Sequence, residues 1–206
     1  MNEEEVRARV VQAAHELYYA RGIQAVGMDE LRAAAGVSLK RLYAVFPSKS
    51  DIVLAVLRHR HQLWVDGIEA RVEQADSPRD RLLAIFDYLS DWFADEAFRG
   101  CGFINAFAEL GGTSTAVTEE TRAHKESFQR YVAGLVAEAG GAPELAAQLA
   151  ILAEGAQTTA AIAGTSAAAA TARRAAEVLI DAEAPGAASG RQAPQARRPG
   201  RRAAPR

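Results

Sequence analysis

The chain has 206 residues, of which 49% are apolar and 24% are charged, and its formal net charge is −2. This composition is typical of a soluble globular chain, and no stretch has the bulky apolar make-up of a membrane span. The single cysteine, Cys101, excludes an internal disulfide and a cysteine-based zinc cage. Because residues 1–5 are acidic and do not resemble a signal peptide, we expect a cytoplasmic protein.

The small net charge hides an uneven distribution along the chain. Residues 1–60 carry nine Lys or Arg against seven Asp or Glu, and residues 61–184 carry nine against 19. Residues 185–206 carry six Arg and no acid. An acidic body is repelled by polyanions, so we expect any contact with nucleic acid at the two ends of the chain.

Helical spacing of apolar residues begins near the N-terminus, and no hairpin signal interrupts it. The first predicted helix covers about residues 4–20, and two short helices follow at 28–35 and 39–46. A long helix is predicted over about 49–73. Ser38 and Ser48 are suitable N-caps for the third and fourth helices, and Pro47 prevents the third from continuing.

Five more helices are predicted after the fourth, which makes an all-α fold of about nine helices. The first of them begins after Ser77-Pro78, a typical start signal. Their ranges are about 78–97, 103–110, 115–139, 143–163 and 166–184. The Pro-, Gly- and Arg-rich segment 185–206 has almost nothing to bury, so we expect it to be disordered.

The two short helices and the turn between them fit a helix-turn-helix plan. In that plan the second helix projects into the major groove of DNA, and the first crosses behind it and shares an apolar seam. Gly36 is placed to make the turn. We expect the seam to consist of Leu31, Ala34, Val37 and Leu42.

Three segments in this region occur in an ordered run: Ala33-Ala34-Ala35-Gly36-Val37-Ser38, then Leu42-Tyr43, then Phe46-Pro47-Ser48-Lys49. With these segments the chain resembles the tetracycline-repressor (TetR) family of transcriptional regulators. The match covers roughly residues 6–60, and the rest matches only in plan. The resemblance implies a DNA-binding domain at residues 1–48 and a helical effector-binding and dimerisation domain at 49–184.

The resemblance also implies which residues contact DNA. The set comprises Gly27, which precedes the first short helix, and residues of the second short helix and its flanks: Ser38, Leu39, Lys40, Arg41, Tyr43 and Lys49. Tyr43 and Lys49 would contact phosphates, and Lys49 lies at a helix N-terminus, where an anion is favoured. Gly27 stands where the family often has Ser or Thr, and Ala44 and Val45 stand where larger residues are common.

The residues themselves leave other interpretations of this surface open. Tyr43 is either a packed aromatic or a phosphate contact, and Lys40 and Arg41 either contact DNA or are merely solvated. Arg32 either forms a salt bridge or touches phosphate. Phe46 is expected in the core.

Dimerisation is expected, because paired half-sites about 34 Å apart on DNA strengthen binding. We interpret the apolar stripes of the last two predicted helices as the interface of a homodimer, with an intramolecular core as the alternative. The stripes consist of Leu145, Leu149, Leu152, Ala156 and Ala160, and of Ala168, Ala172, Ala176, Leu179 and Ile180.

Aromatic residues cluster in the middle of the chain and form either core or the wall of a ligand pocket. Asn105 and Glu109 are four residues apart, hence on one helical face, and either bond to a neighbouring helix or face a ligand. By resemblance, a small apolar effector binds among the middle helices and releases a repressor from a palindromic operator. The candidate effector-binding set is Trp64, Phe86, Trp92, Phe103, Asn105, Phe107, Glu109, Phe128 and Gln157.

Other function classes find little support in the sequence. An enzyme is not expected, because no phosphate loop, serine elbow or H-E-x-x-H motif is present. We expect no metal and no cofactor, since His59 and His61 point about 200° apart on a helix. A small helical enzyme and an architectural DNA-binding protein without an effector remain the alternatives. Cys101 is either an oxidant sensor or a small buried hydrophobe, and the arginines of 185–206 either add weak DNA affinity or have no role.

Overall fold

The computed structural model describes residues 1–183, which form nine α-helices and no strand. This confirms the predicted all-α fold for that part of the chain, whereas the predictions made for the arginine-rich segment 185–206 fall outside it. The helices are α1 (Glu3–Arg21), α2 (Met28–Ala35), α3 (Leu39–Val45), α4 (Lys49–Val72), α5 (Pro78–Phe93), α6 (Gly102–Leu110), α7 (Thr115–Glu138), α8 (Pro143–Ala163) and α9 (Ala167–Glu183).

Two apolar cores hold these helices together, and α4 contributes to both. The first core lies among α1, α2, α3 and the N-terminal half of α4, and its side chains include Leu31, Leu42 and Phe46, each at most 1% exposed. α6 joins this core through Phe103 and Ala106. α6 also packs along α7, where Phe103 stacks on His124, so it contacts both the N-terminal unit and the larger body.

The second core lies among the C-terminal half of α4 and helices α5, α7, α8 and α9. Its centre is made of large apolar side chains from α5, such as Phe86 and Leu89, against small ones from α8 and α9, such as Ala153 and Ala176. Alanine on both of the last two helices permits a close approach of their backbones. None of the nine described helices combines the length and the apolar character that a bilayer crossing requires.

The predicted interface stripes on the last two helices turn out to face inward. Leu145, Leu149 and Ala160 on α8 are at most 2% exposed. Ala156, Ala172, Ala176 and Ile180 are buried too, and Leu152, Ala168 and Leu179 are partly buried against the same core. Assigning these stripes to a dimer interface was therefore wrong, because they are the seam by which α8 and α9 pack on the rest of the chain.

Two local expectations also needed correction. Ala34 is exposed and Ala35 is buried in its place, so the seam between α2 and α3 consists of Leu31, Ala35, Val37 and Leu42. α5 ends at Phe93 rather than near residue 97, because the chain turns at Ala94 and Asp95 Oδ1 accepts the backbone N–H of Ala97 at 2.8 Å. The turn folds Phe98 back onto Trp92, with their ring centroids 5.1 Å apart.

Candidate nucleic-acid interface and internal cavity

A tight turn at Gly36 sets α3 against α2. Gly36 has φ +65°, in the left-handed region that glycine adopts without strain. Its N–H donates to the carbonyl of Ala33 at 3.1 Å, and the N–H of Val37 donates to that of Arg32 at 3.0 Å. The chain therefore leaves α2 directly into the N-cap of α3.

α3 is seven residues long and buries only Leu42 and Val45. The Ser38 hydroxyl caps its start by accepting the N–H of Arg41 at 3.3 Å. Phe46 adopts an extended conformation that ends the helix, and its side chain is 1% exposed, as expected for the core. The remaining side chains of the helix face solvent: Leu39, Lys40, Arg41, Tyr43 and Ala44.

The cations on and beside α3 are not neutralised by neighbouring acids. Within the part of the chain that the structure describes, no carboxylate lies within 4.0 Å of Lys40, Arg41 or Lys49. Arg32, by contrast, donates to Asp29 at 2.9 Å, which is the salt-bridge alternative considered for it. Tyr43 is 46% exposed rather than packed.

Gly27 and Lys49, the outermost residues of the candidate DNA-binding set, both lie at helix starts. Gly27 is the N-cap of α2 and supplies no side-chain hydrogen bond. Lys49 is the first residue of α4, and its ammonium lies 5.9 Å from the centroid of the Tyr18 ring. A capping box between Ser48 and Asp51 fixes the start of α4.

A cavity of about 230 Å³ lies among α1, α4, α5, α6 and α7. Three of the nine predicted effector-binding residues line it, namely Trp64, Trp92 and Phe103. Its wall also contains residues that the sequence did not single out for this role, chiefly His15, Tyr19, Arg60, Tyr88, Phe98 and His124.

The other predicted effector-binding residues do not line this cavity. Phe86 and Phe128 are buried in the second core, and Phe107 is 51% exposed on the surface. Gln157 is buried and donates to the carbonyl of Ala153 on its own helix at 3.4 Å. The Asn105 amide donates to the carbonyl of Arg99 at 3.0 Å, so it stabilises the turn before α6.

Arg60 occupies a defined place in the cavity wall. Its guanidinium carbon lies 3.9 Å from the centroid of the Tyr19 ring, and Nη1 lies 3.5 Å from Nδ1 of His15. On the other side it packs against Gly102, where a Cβ atom would come within 2.4 Å of Arg60 Nε. Glycine at the start of α6 therefore makes room for this side chain.

Two histidines in the wall are uncharged at neutral pH. His124 is 6% exposed, and its ring is stacked on Phe103 with centroids 3.6 Å apart. Burial, reinforced by Lys125, His61 and Arg60, lowers the pKa of His124 to about 3. Burial and the nearby Arg60 also lower the pKa of His15, to about 4.

Glu109 connects α6 to the end of α1. Its carboxylate accepts the backbone N–H of Ile23 at 2.9 Å and that of Gln24 at 2.8 Å. The Gln24 side chain donates to the backbone carbonyl of Glu109 at 2.9 Å. We call this arrangement of Ile23, Gln24 and Glu109 the α1–α6 latch, and it corresponds to the structural alternative considered for Glu109.

A second connection between the same regions runs through a cavity residue. The Tyr19 hydroxyl donates to the carbonyl of Gly100 at 2.9 Å and accepts the N–H of Arg99 at 2.8 Å. Burial raises the pKa of Tyr19 above its usual value. The turn before α6 is therefore tied to α1, which carries the helix-turn-helix unit.

The outward faces of α8 and α9 expose large apolar side chains. Ile151 and Ile162 on α8 are 70% and 84% exposed, and Val178 on α9 is 69% exposed. Small residues, including Ala147, Gly155 and Ala170, surround them and are also exposed. Exposed apolar surface of this kind marks interaction sites.

Comparison with known proteins gives matches at both ends of the chain. Residues 10–56 match the family model described as bacterial regulatory proteins, tetR family, and residues 78–176 match the tetracyclin repressor-like C-terminal domain. A TetR-family transcriptional regulator from Streptomyces coelicolor has a similar crystal structure. Its TM-score is 0.82 at 27% identity, covering 88% of this chain and 97% of that one.

Two curated relatives match over shorter segments. The HTH-type transcriptional activator FasR of Mycolicibacterium smegmatis is 34% identical over 94 residues, or 46% of this chain. The HTH-type transcriptional regulator TtgR of Pseudomonas putida is 29% identical over 91 residues, or 42% of this chain. Each alignment spans 43% of the relative's own length.

The buried neutral His124 predicts a specific loss of stability in acid. Its pKa is about 3 in the folded chain and about 6.5 in the unfolded chain. The contribution of His124 to the free energy of unfolding is therefore fully present above about pH 6.5. It falls below that value, because the unfolded state takes up a proton there and the folded state does not. Between about pH 7 and pH 5, we expect this residue to reduce the free energy of unfolding by up to about 2 kcal/mol.

Urea unfolding of the chain and of His124→Gln at both pH values measures this contribution. The variant should be less stable at pH 7 but should lose less stability on acidification than the parent chain does. Equal losses in the two proteins would contradict the assignment of His124 as a neutral residue in the folded state.

Proposed function

Because the chain belongs to the TetR family of DNA-binding transcriptional regulators, we propose that it binds a palindromic operator as a homodimer and leaves it when a small effector fills the cavity. The observation that carries the proposal is the projecting helix α3, which exposes Lys40 and Arg41 with no carboxylate of residues 1–183 within 4.0 Å of either. Such a regulator acts in the cytoplasm, where the bacterial chromosome lies. Where the operator overlaps a promoter, the bound protein blocks transcription, so it acts as a repressor until the effector releases it.

The chemistry of α3 supports distinct roles for its residues. Arg41 has a guanidinium that can read a guanine with two hydrogen bonds, whereas Lys40 offers a point charge for a base or a phosphate. Lys49 and Tyr43 would hold phosphates, which fixes the register of the helix in the groove. Leu39 offers an apolar surface for a thymine methyl group, and Ser38 and Gly27 bring the backbone close to the DNA.

Selection of bound duplexes from a random pool should yield a short inverted repeat, because a twofold dimer presents two copies of α3. On that operator, Arg41→Ala should cost about 1–3 kcal/mol and relax the preference at one base pair. Lys49→Ala should weaken binding to all sequences and reduce the salt slope by about 1 per half-site. Fluorescence anisotropy over a series of salt concentrations measures both effects.

Arg130→Ala is the matched control for these variants, because Arg130 is an exposed arginine on α7, outside the helix-turn-helix unit. It should bind the operator as the parent chain does. A pool without any enriched repeat, or an Arg41→Ala variant with unchanged preference at every position, would contradict the proposed mode of reading.

The outward face of α8 and α9 is the surface that supports dimerisation. Ile151, Gly155 and Ile162 lie along one side of α8, at spacings that place them on the same helical face, and Val178 extends the apolar surface onto α9. Two such helix pairs related by a twofold axis would form a four-helix interface. Burial of these side chains in a dimer explains why they are apolar.

Replacing Ile151 by Glu should convert the dimer to a monomer, because it buries an unpaired charge in the interface. Sedimentation equilibrium measures the change, and operator affinity should fall with it. Ala133→Glu, an exposed substitution on α7, is the control and should leave the dimer intact. Circular dichroism reports folding, and a folded Ile151→Glu protein that still sediments as a dimer would refute this choice of interface.

The α1–α6 latch supports a route from the cavity to the DNA-binding unit. α6 supplies Phe103 to the cavity wall and Glu109 to the latch, so a ligand that displaces α6 also pulls on the end of α1. The effector need only bind the displaced state more tightly than the operator-binding state, and DNA affinity falls by that difference.

Glu109→Gln should loosen the latch. The carboxylate accepts two N–H hydrogen bonds with its two oxygens, whereas the amide of glutamine has only one oxygen that can accept them. Hydrogen exchange at the amides of Ile23 and Gln24 should become about tenfold faster, and operator affinity should change several-fold. Glu126→Gln, an exposed residue of α7, is the control. Faster exchange with unchanged operator affinity would show that the latch is structural only.

A further inference from the structure

We propose that the cavity binds a small carboxylate, with the anionic group held by Arg60 and an apolar body held by the aromatic wall. This inference rests on the proposed effector-binding function and narrows the chemical class of the effector. It differs from the sequence-based expectation, which named only an apolar molecule.

Within residues 1–183, Arg60 has no acidic partner. It is half-buried in the cavity wall, and among residues 1–183 no carboxylate comes within 4.0 Å of it. Asp95 also lines the cavity, but it is exposed and its Oδ1 caps the turn after α5 by accepting the N–H of Ala97. A guanidinium shielded from water without a counter-charge is unfavourable, and an entering anion relieves that cost.

Arg60 is also held in one position before any ligand arrives. Tyr19 covers one side of the guanidinium, and the Cβ-free surface of Gly102 lies against its Nε. Tyr19 is itself fixed by hydrogen bonds to the backbone at Arg99 and Gly100. A cation that is already ordered loses little further entropy when it binds a carboxylate, so its contribution to affinity is large.

The charges around Arg60 also favour an anion at this wall. His15 and His124 are neutral at physiological pH, so Arg60 supplies the fixed positive charge on the inner wall of the cavity. α6 begins at the same wall, and its N-cap residue Cys101 makes no side-chain hydrogen bond to the first turn. The positive end of that helix reinforces the preference for an anion set by Arg60.

The apolar part of the cavity determines the size and polarity of the ligand body that carries the carboxylate. Trp64, Trp92 and Phe98 line it together with Phe103, and its volume of about 230 Å³ is small for a ligand pocket. A single ring or a short alkyl chain fits this space. The expected ligand is therefore a monocyclic aromatic acid or a short fatty acid.

Direct titration of the full chain tests the proposal without DNA. The probes are benzoate, hydrocinnamate and octanoate, each compared with its own primary amide, and phenylpropylamine as a cationic analogue. The chain has two tryptophans, Trp64 and Trp92, and both line the cavity, so quenching of intrinsic fluorescence reports binding. At least one carboxylate should bind about ten- to a hundredfold more tightly than its amide, and the amine should bind most weakly.

Arg60→Gln should remove the preference for the carboxylate over the amide, and Arg60→Lys should retain part of it, because lysine keeps the charge but loses the planar fork. Arg58→Gln is the matched control. Arg58 lies two residues earlier on α4, is 67% exposed and pairs with Glu120 outside the cavity, so the preference should be unchanged. Thermal unfolding by circular dichroism verifies that each variant is folded.

Two results would overturn the proposal. One is that no carboxylate in the panel binds more tightly than its amide, which includes the case in which no probe binds. The other is that the preference survives unchanged in Arg60→Gln or, should that variant not fold, in Arg60→Met, which also removes the charge. Operator binding is measured separately from ligand binding. A negative titration therefore leaves the proposed DNA-binding function intact, and a failure to bind an operator leaves the carboxylate site intact.

Discussion

The projection of α3 depends on very little buried surface. A helix of seven residues is not stable alone in water, and this one buries only Leu42 and Val45. Its position is fixed instead by its ends: the Gly36 turn and the Ser38 cap on one side, and the buried Phe46 on the other. Arg7 adds to this end, because its Nη2 donates to the carbonyl of Val45 at 2.8 Å and its guanidinium lies over the Phe46 ring. The exposed side chains of α3 are therefore free of any structural duty, which suits a surface that reads DNA.

Helix α1 links the DNA-binding unit to the cavity, because it contributes side chains to both. One side of α1 packs through Val10 and Ala14 on the first core, and its C-terminal half supplies His15 and Tyr19 to the cavity wall. The α1–α6 latch then closes the loop after α1 onto α6. In the proposed coupling, a rearrangement at the cavity therefore acts on α1, which packs against α2 and α3. No separate linker is required for the two functions to influence each other.

The sequence was sufficient for the parts of the structure that depend on local signals. Caps, prolines and glycines placed most helix ends within one or two residues, and the helix-turn-helix unit followed from two short helices around Gly36. The last helices were different, because alanine-rich α8 and α9 are apolar on both sides and the spacing alone cannot tell the core side from the exposed one. The lining of the cavity is even harder to predict from the sequence. His15, Arg60 and His124 are far apart in the chain and meet only through the crossing of α1, α4 and α7.

The distribution of charge gives a reason for placing a cation inside an otherwise acidic body. Exposed acids on the helical surface are screened by salt over about 8 Å at physiological ionic strength, so they repel the DNA backbone only at close range. Arg60 is half-buried in a wall of aromatic rings, where screening is weaker and its attraction for an anion is stronger than it would be on the surface. The acidic exterior therefore disfavours polyanions away from the helix-turn-helix face, whereas the proposed anion site lies inside the cavity. Under the two proposals, DNA and a small carboxylate thus bind at different places on one chain, the first on the surface and the second in the cavity.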